Sequence, residues 1–252
     1  MDPALGFLPR PGTKQYTVNV TYQPRPAADS WLSWIRQYFL NGSYYFVTDL
    51  TNRVQSEDWS LNPIQWVSQS GWSVGSGTLP KKEVVTSPFE ILPGVIVPVG
   101  TYDFATTYLG VASPKSNPLS FSVTGEAGGQ YSGRSKTFIG DLSFAGPDGH
   151  FTADLSSTLT WVYTLQGNGT VRVLGLNLGY SFTPNLTLST LTQYNNITHN
   201  VASNTRLQWI MKPGRYLYLV WNHGLALNPN LLQGTETVTG NQLTLKLVWG
   251  LY

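Results

Sequence analysis

The stretch QYTVNVTY alternates strictly. Tyr16, Val18, Val20 and Tyr22 fall on one side, and Gln15, Thr17, Asn19 and Thr21 on the other. The same period recurs through most of the chain. PLSFSVTGE sets Leu119, Phe121 and Val123 against Ser120, Ser122 and Thr124. ADLSSTLTWVYTL sets Leu155, Leu159, Trp161, Tyr163 and Leu165 against Asp154, Ser156, Thr158 and Thr160. LGLNLGYSF sets Leu174, Leu176, Leu178, Tyr180 and Phe182 against Asn177 and Ser181, and SNTRLQWIMK sets Leu207, Trp209 and Met211 against Asn204, Arg206 and Gln208. The C-terminal NQLTLKLVWGLY sets Leu243, Leu245, Leu247, Trp249 and Leu251 against Gln242, Thr244 and Lys246. An extended chain points successive side chains to opposite faces, so each segment reads as a strand with one apolar and one polar face. Residues 36–50, 54–69 and 186–197 alternate less regularly, which leaves their registers open. Helical spacing is confined to Trp31, Trp34, Ile35 and Tyr38. That segment reads either as an interfacial turn or as an aromatic stretch entering a strand.

Gly, Pro, Asn and Asp punctuation divides the chain into about fourteen strands. They are 4–9, 14–23, 36–49, 54–68, 72–86, 102–112, 118–126, 136–144, 152–165, 171–182, 186–195, 203–211, 215–222 and 241–252. Counting back from a C-terminus at one end of the sheet, that end receives KPGR, TPN, GPDG and SPKSNP, all short and all containing proline. The other end receives the longer segments 223–240, 196–204, 128–135 and 88–100. Short turns at one end and long loops at the other characterise transmembrane β-barrels. QGNG (166–169) and residues 24–34 depart from this sorting.

Composition separates the barrel from a β-sandwich, which also alternates but turns its apolar face to a core. Only 11% of residues are charged and 13% are aromatic, with nine tryptophans. A water-facing sandwich of this length would carry more Lys and Glu than that. In a barrel the outer band is apolar and nearly free of charge while the inner face stays polar. No apolar run approaches the ~18 residues of a membrane-spanning helix. The expected fold is therefore all-β, an antiparallel up-and-down transmembrane β-barrel forming one domain over residues 1–252. A net charge of +2 and the absence of any Lys/Arg cluster argue against nucleic acid as a partner. With no cysteine, disulfides and thiolate metal sites are excluded.

Several segments resemble a bacterial outer-membrane family of unknown function. Its members carry an N-terminal domain similar to carbohydrate-binding module family 9, followed by a large C-terminal β-barrel. The likeness lies in DPALGFLPRPGTKQYT, PFEILPGVIVPVGTYDF, GLNLGYSFTPNLTLSTLTQYNN, SNTRLQWIMKPGRYLYLVWNHG and the closing LTLKLVWGLY. It covers most of residues 2–252 in the family's order, and the run from Leu174 to Gly224 is the most specific part. In that family the stretch like DPALGF lies inside the barrel, with more strands and the carbohydrate-binding-like domain before it. The resemblance thus implies a C-terminal fragment, consistent with the lack of a visible signal peptide in MDPALGFLPRPG. It also implies outer-membrane lipid and the barrel-assembly machinery as partners, with glycans reached only through the absent upstream domain.

Candidate chemistry is sparse. His150, His199 and His223 fall in different turns, and no spacing suits a metal. Glu57 and Asp58 point to opposite faces. No G-x-S-x-G elbow is present. GGQYSGRS lacks phosphate-loop spacing and reads as a loop tip. Ser203 and His223 sit at neighbouring ends of adjacent predicted strands; they read as rim polarity, with a hydrolase as the alternative. Asp154, Asn204, Arg206, Gln208 and Lys246 are expected to face the lumen. Tyr16, Tyr22, Trp161, Tyr180, Trp209 and Trp249 are expected on the lipid face, some within interfacial girdles. Trp249 and Tyr252 resemble the terminal aromatic assembly signal of outer-membrane proteins. Within PFEILPGVIVPVG, Pro93 and Pro98 argue against a regular central strand. The segment reads as an extended, proline-pinned outer loop, or as one that folds inward or covers an edge. The functional expectation is an outer-membrane anchor or passage associated with glycans, without catalytic residues, cofactor or metal. A stand-alone porin is the second possibility.

Overall fold

The computed structural model describes residues 12–227 and 236–250, and within them the chain is all-β. The strands are β1 (Thr13–Tyr22), β2 (Ile35–Tyr38), β3 (Leu40–Asp49), β4 (Val54–Ser68), β5 (Ser73–Val85), β6 (Phe89–Leu92), β7 (Val95–Val97) and β8 (Gly100–Ala112). They continue as β9 (Leu119–Gln130), β10 (Gly133–Ala145), β11 (Phe151–Thr164), β12 (Gly167–Thr183), β13 (Leu186–Asn195), β14 (Asn200–Lys212), β15 (Arg215–Leu227) and β16 (Glu236–Trp249). One 14-stranded sheet runs β1-β3-β4-β5-β8-β9-β10-β11-β12-β13-β14-β15-β16, with β2 pairing β4, and β6 and β7 form a separate two-stranded hairpin. Neighbours in this sheet are neighbours in the chain, the antiparallel up-and-down order from which β-barrels are built. Among the described residues β1 and β16 are its two edges, and they do not pair with each other. A β-sandwich divides its strands between two sheets of similar size; here, among the described residues, all strands but the short hairpin join one.

The predicted strands recur, except that 36–49 is divided into β2 and β3 at Phe39 and 72–86 is trimmed by a residue at each end; those from β8 to β16 mostly run longer than expected, and strand 4–9 lies outside the described residues. The proline turns hold their predicted places, at 113–118, 146–150, 184–185 and 213–214. At the other end the expected long loops are largely strand. β9 runs to Gln130 and β10 restarts at Gly133, so GGQYSGRS contributes a turn of Tyr131 and Ser132. Residues 196–204 reduce to a turn at 196–199, and β15 and β16 extend into 223–240. Polar Gly, Asn, Ser and Thr residues end an apolar band without ending a strand, so polarity alone overestimates the loops. The aromatic segment before β2 is a run of turns that enters a strand. Ser30 N bonds Ala27 O at 3.0 Å, Ser33 N bonds Ser30 O at 2.9 Å and Ile35 N bonds Leu32 O at 2.9 Å, after which β2 begins.

The chain divides into two compact units. Of the described residues, one holds 12–111 with 125–136 and 162–169; the other holds 112–124, 137–161, 170–227 and 236–250. The buried aliphatic side chains among the described residues are Ile35, Val47, Val85, Leu92, Val95, Val97 and Val162, all in the first unit. The second unit has none among its described residues; its aliphatic side chains lie on the sheet surface.

Candidate functional site: the two faces of the sheet

Register fixes which side chains share a face, because directly opposed residues in an antiparallel pair project the same way. In the second unit one row reads Asn177, Leu191, Asn204, Asn222, Gln242. The next rows on that face place Ser189, Arg206, Val220 and Thr244 together, then Thr187, Gln208, Tyr218 and Lys246. Asn177 Nδ2 donates to Asp154 Oδ2 at 3.4 Å, which brings Asp154 to the same side. All five polar residues predicted for the lumen therefore occupy one face. They are cross-linked along it. Asn204 Nδ2 donates to Asn222 Oδ1 at 2.5 Å, Arg206 donates to Gln208 Oε1 at 2.9 Å, and the Arg206 guanidinium sits 4.6 Å from the centre of the Tyr218 ring.

The opposite face reads Tyr180, Leu188, Leu207, Leu219, Leu245 in one row and Trp209, Leu217, Leu247 in another. Trp249 lies across from Arg215, whose guanidinium stacks on the indole 3.9 Å from its centre. Near the 146–150 and 184–185 turns, Phe144 faces Phe151, His150 stacks on Tyr180 and Tyr180 meets Phe182 edge-on. An aromatic belt thus gathers at the turn end of this face, with Trp209 and Trp249 in it. Trp161 belongs to the same strand parity as Leu155 but is only half-exposed. Hydroxyls on this face pair with one another. Thr190 and Thr205 are 3.1 Å apart, as are Thr192 and Ser203. Such pairing removes the cost of polar atoms in apolar surroundings.

The first unit repeats the separation less cleanly, since Glu57 and Lys82 oppose each other on its apolar side. Tyr16 opposes Phe46, Val18 opposes Tyr44, and Tyr22 opposes Leu40, all on the apolar side. Tyr44 stacks on Trp59 at 4.0 Å. The predicted belt residues Tyr16 and Tyr22 lie on this surface and are exposed. The polar side holds Asn62, which accepts from Tyr108 Oη at 2.7 Å, and Lys81, 3.5 Å from Asp58 and 3.6 Å from Glu83. Glu57 opposes Phe46 and Asp58 opposes Tyr45, so the adjacent carboxylates do point to opposite faces.

Residues 88–100 are not an extended outer loop. They form the β6–β7 hairpin, with Leu92 opposite Val95 and Pro93–Gly94 as its turn. Gly94 takes φ +79, a conformation glycine adopts without steric cost, and its amide donates to Glu90 Oε1 at 2.5 Å. Pro93 sits in the turn and Pro98 just past β7, so neither interrupts a ladder. Leu92, Val95 and Val97 are 5%, 4% and 2% exposed. A Cβ at Gly169 would lie 2.7 Å from Leu92 Cδ1, and one at Gly167 3.0 Å from Val95 Cγ2. The turn expected at 166–169 lies at 165–166, and Gly167 and Gly169, which open β12, form a glycine cradle for the hairpin. These glycines were the available sequence signal, but nothing in the sequence said what would approach them. Tyr131, with φ +47 in its turn, contacts Phe89, Tyr102 and Phe104 at ring-centre distances of 5.6, 5.5 and 5.4 Å. Its hydroxyl donates to Glu83 Oε2 at 3.2 Å. Burial first, then the charge and hydrogen bond of Glu83, push its pKa up to about 12.

Ser203 and His223 are direct cross-strand partners on the apolar face, with Asn241 opposite His223. The Ser203 hydroxyl is shared with Thr192, and His223 Nδ1 is buried with no hydrogen-bond partner. They do not hydrogen-bond each other, so a nucleophile–base pair is not assembled here. Among the described residues no three His, Cys, Asp or Glu side chains converge as metal ligands. Tyr252, half of the proposed assembly signal, lies outside the described residues. Comparison with known proteins finds no matching family model, no matching curated protein and no matching solved structure.

Proposed function

We propose that the chain forms the wall of an outer-membrane β-barrel, serving as an anchor or as a passage for polar solutes. One observation carries the reading: a long antiparallel sheet presents an uncovered apolar face opposite a polar one. Leu243, Leu245 and Leu247 are 67%, 67% and 58% exposed, and Leu219, Trp209 and Trp221 stand exposed beside them. A water-soluble monomer rarely leaves a contiguous apolar patch beyond a few hundred Å² uncovered. Removing a leucine side chain from water contributes roughly 1.5–3 kcal/mol, so lipid is the natural partner of such a face. The aromatic belt at the turn end matches the girdle position of membrane barrels. Association with glycans rests on the family resemblance of the segments around Leu174–Gly224 and on an upstream domain of that family. The barrel reading is tested by fractionating expressing cells and comparing unboiled with boiled protein on detergent gels. Recovery in the outer-membrane fraction with heat-modifiable migration is expected. Recovery as a soluble monomer would rule the reading out. A passage in its own right, rather than an anchor alone, is favoured by the charged polar face and the hairpin laid on it.

A further inference from the structure

The hairpin lies on the polar face. Its Phe89 ring packs on Tyr131, whose hydroxyl holds Glu83, and Glu83 shares its face with Ser56 and the fully buried Val47. The same side carries Asp58 and Lys81. From its anchor between β5 and β8 the hairpin reaches Gly167 and Gly169 at the start of β12. β12 is four places from β8 in the sheet, about 19 Å at the ~4.8 Å strand spacing. A loop that merely capped the strand ends would not bring Leu92 and Val95 against so distant a strand. The contact is also fixed rather than loose. The cradle glycines leave no room for a side chain while the hairpin keeps Leu92 and Val95 in place, and Tyr102 Oη ties the exit of the hairpin by donating to Pro98 O at 2.8 Å. All of these residues belong to the first compact unit.

We infer that the β6–β7 hairpin is an in-folded constriction that sets the bore of the passage and its charge preference. The inference rests on the barrel reading, in which the polar face lines the lumen. Beside the hairpin the lining carries Asp58 and Glu83 against one ammonium, Lys81. Two carboxylates and one cation leave an excess negative charge at the narrowing. A ring or cluster of acidic groups at a constriction favours cations over anions. The solutes admitted are small hydrated inorganic cations and small neutral polar molecules.

The chain contains no cysteine, which allows a direct test. A Cβ at Gly169 would lie 3.9 Å from Leu92 Cβ, within the ~3.5–4.5 Å span of disulfides. With Leu92 shortened to cysteine, the close approach of its Cδ1 to that Cβ is removed as well. Three proteins are refolded into vesicles and studied in planar bilayers in potassium chloride. They are the full chain, a chain in which residues 89–97 are replaced by a short glycine linker, and Leu92→Cys/Gly169→Cys. The double cysteine variant should oxidise to a single intramolecular species with the conductance of the unmodified chain. The hairpin-deleted protein should conduct several-fold more. A KCl gradient should give the full chain a reversal potential of cation-preferring sign, weakened in Glu83→Gln. Leu92→Asp/Val95→Asp, which releases the hairpin without shortening the chain, should also raise conductance if the deletion fails to insert. Inserted, heat-modifiable deletion and release variants that conduct no more than the full chain would overturn the constriction. Failure of the two introduced cysteines to pair, or anion preference, would overturn it as well. If no protein enters the bilayer, the barrel reading itself fails, a different outcome from an inserted barrel with unaltered conductance.

Discussion

Replacing Leu219 with arginine separates a lipid-facing surface from a water-facing one. Leu219 sits on β15 between Leu207 and Leu245 on the apolar face. It is 37% exposed, an ordinary surface value for a soluble protein. In water, Leu219→Arg would change stability by no more than about 0.5 kcal/mol, as surface substitutions do. In a membrane the depth decides. Leu219 is five residues from Gly214 of the 213–214 turn, roughly 17 Å along the strand at ~3.4 Å per residue. A tilt near 40° converts this to about 13 Å of depth, close to the middle of the ~25 Å apolar band. Arginine there costs about 2–4 kcal/mol, falling to about 0–1 kcal/mol near the interfaces. Val220, the next residue, faces the polar side opposite Arg206 and Thr244, so Val220→Arg serves as the control. Reversible unfolding in phospholipid vesicles, followed by tryptophan fluorescence in denaturant, reads both variants. A lipid-facing Leu219 and a lumen-facing Val220 require a loss of about 2–4 kcal/mol for Leu219→Arg and less than about 1 kcal/mol for Val220→Arg. Equal effects at the two positions would refute the assignment of faces.

Arg215→Ala should cost about 0.5–1 kcal/mol in the same assay, because the guanidinium loses its seat on Trp249; Arg215→Lys should recover part of it, and two neutral variants would remove the belt contact from the account. Tyr131 holds its proton to about pH 12 in the folded protein, against 10.0 ordinarily. Its contribution to stability is therefore complete below pH 10 and is lost as pH rises through the window from 10 to 12. Absorbance titration of the unmodified chain minus Tyr131→Phe should show one tyrosine ionising near the top of that window, and a midpoint at the ordinary value would refute the packing around Glu83. Ser203→Ala/His223→Ala should leave any ester or phospholipid hydrolysis by purified protein at the level of the unmodified chain. A loss of measurable turnover in that variant would install the hydrolase reading instead.

The strands were legible because each has two chemically distinct faces. A slip of one residue would exchange all of them, so the sequence at Leu174–Phe182 or Leu243–Trp249 admits one register. The polar set of Asp154, Asn204, Arg206, Gln208 and Lys246 followed directly from that parity. Strand ends were less legible, since Gly128 to Gln130 and Asn200 to Ser203 carry little apolar alternation yet continue the ladder. There the constraint is backbone pairing, which leaves little trace in side-chain chemistry. The hairpin was the least visible element. Its Leu92 and Val95 pack on Gly169 and Gly167, more than seventy positions away, and its two prolines read as strand breakers although both fall where no ladder bond is required. Contacts at that sequence separation are tertiary in origin and carry no local period.

Site-directed spin labelling along β15 tests the central claim most directly, since single cysteines at 216–221 meet no native cysteine. With the protein in vesicles, labels at 217, 219 and 221 should relax with oxygen dissolved in the acyl chains. Labels at 216, 218 and 220 should relax with a water-soluble nickel complex, giving a period of two along the strand. Equal access of the nickel complex to both sets would contradict a sheet whose apolar face is turned to lipid.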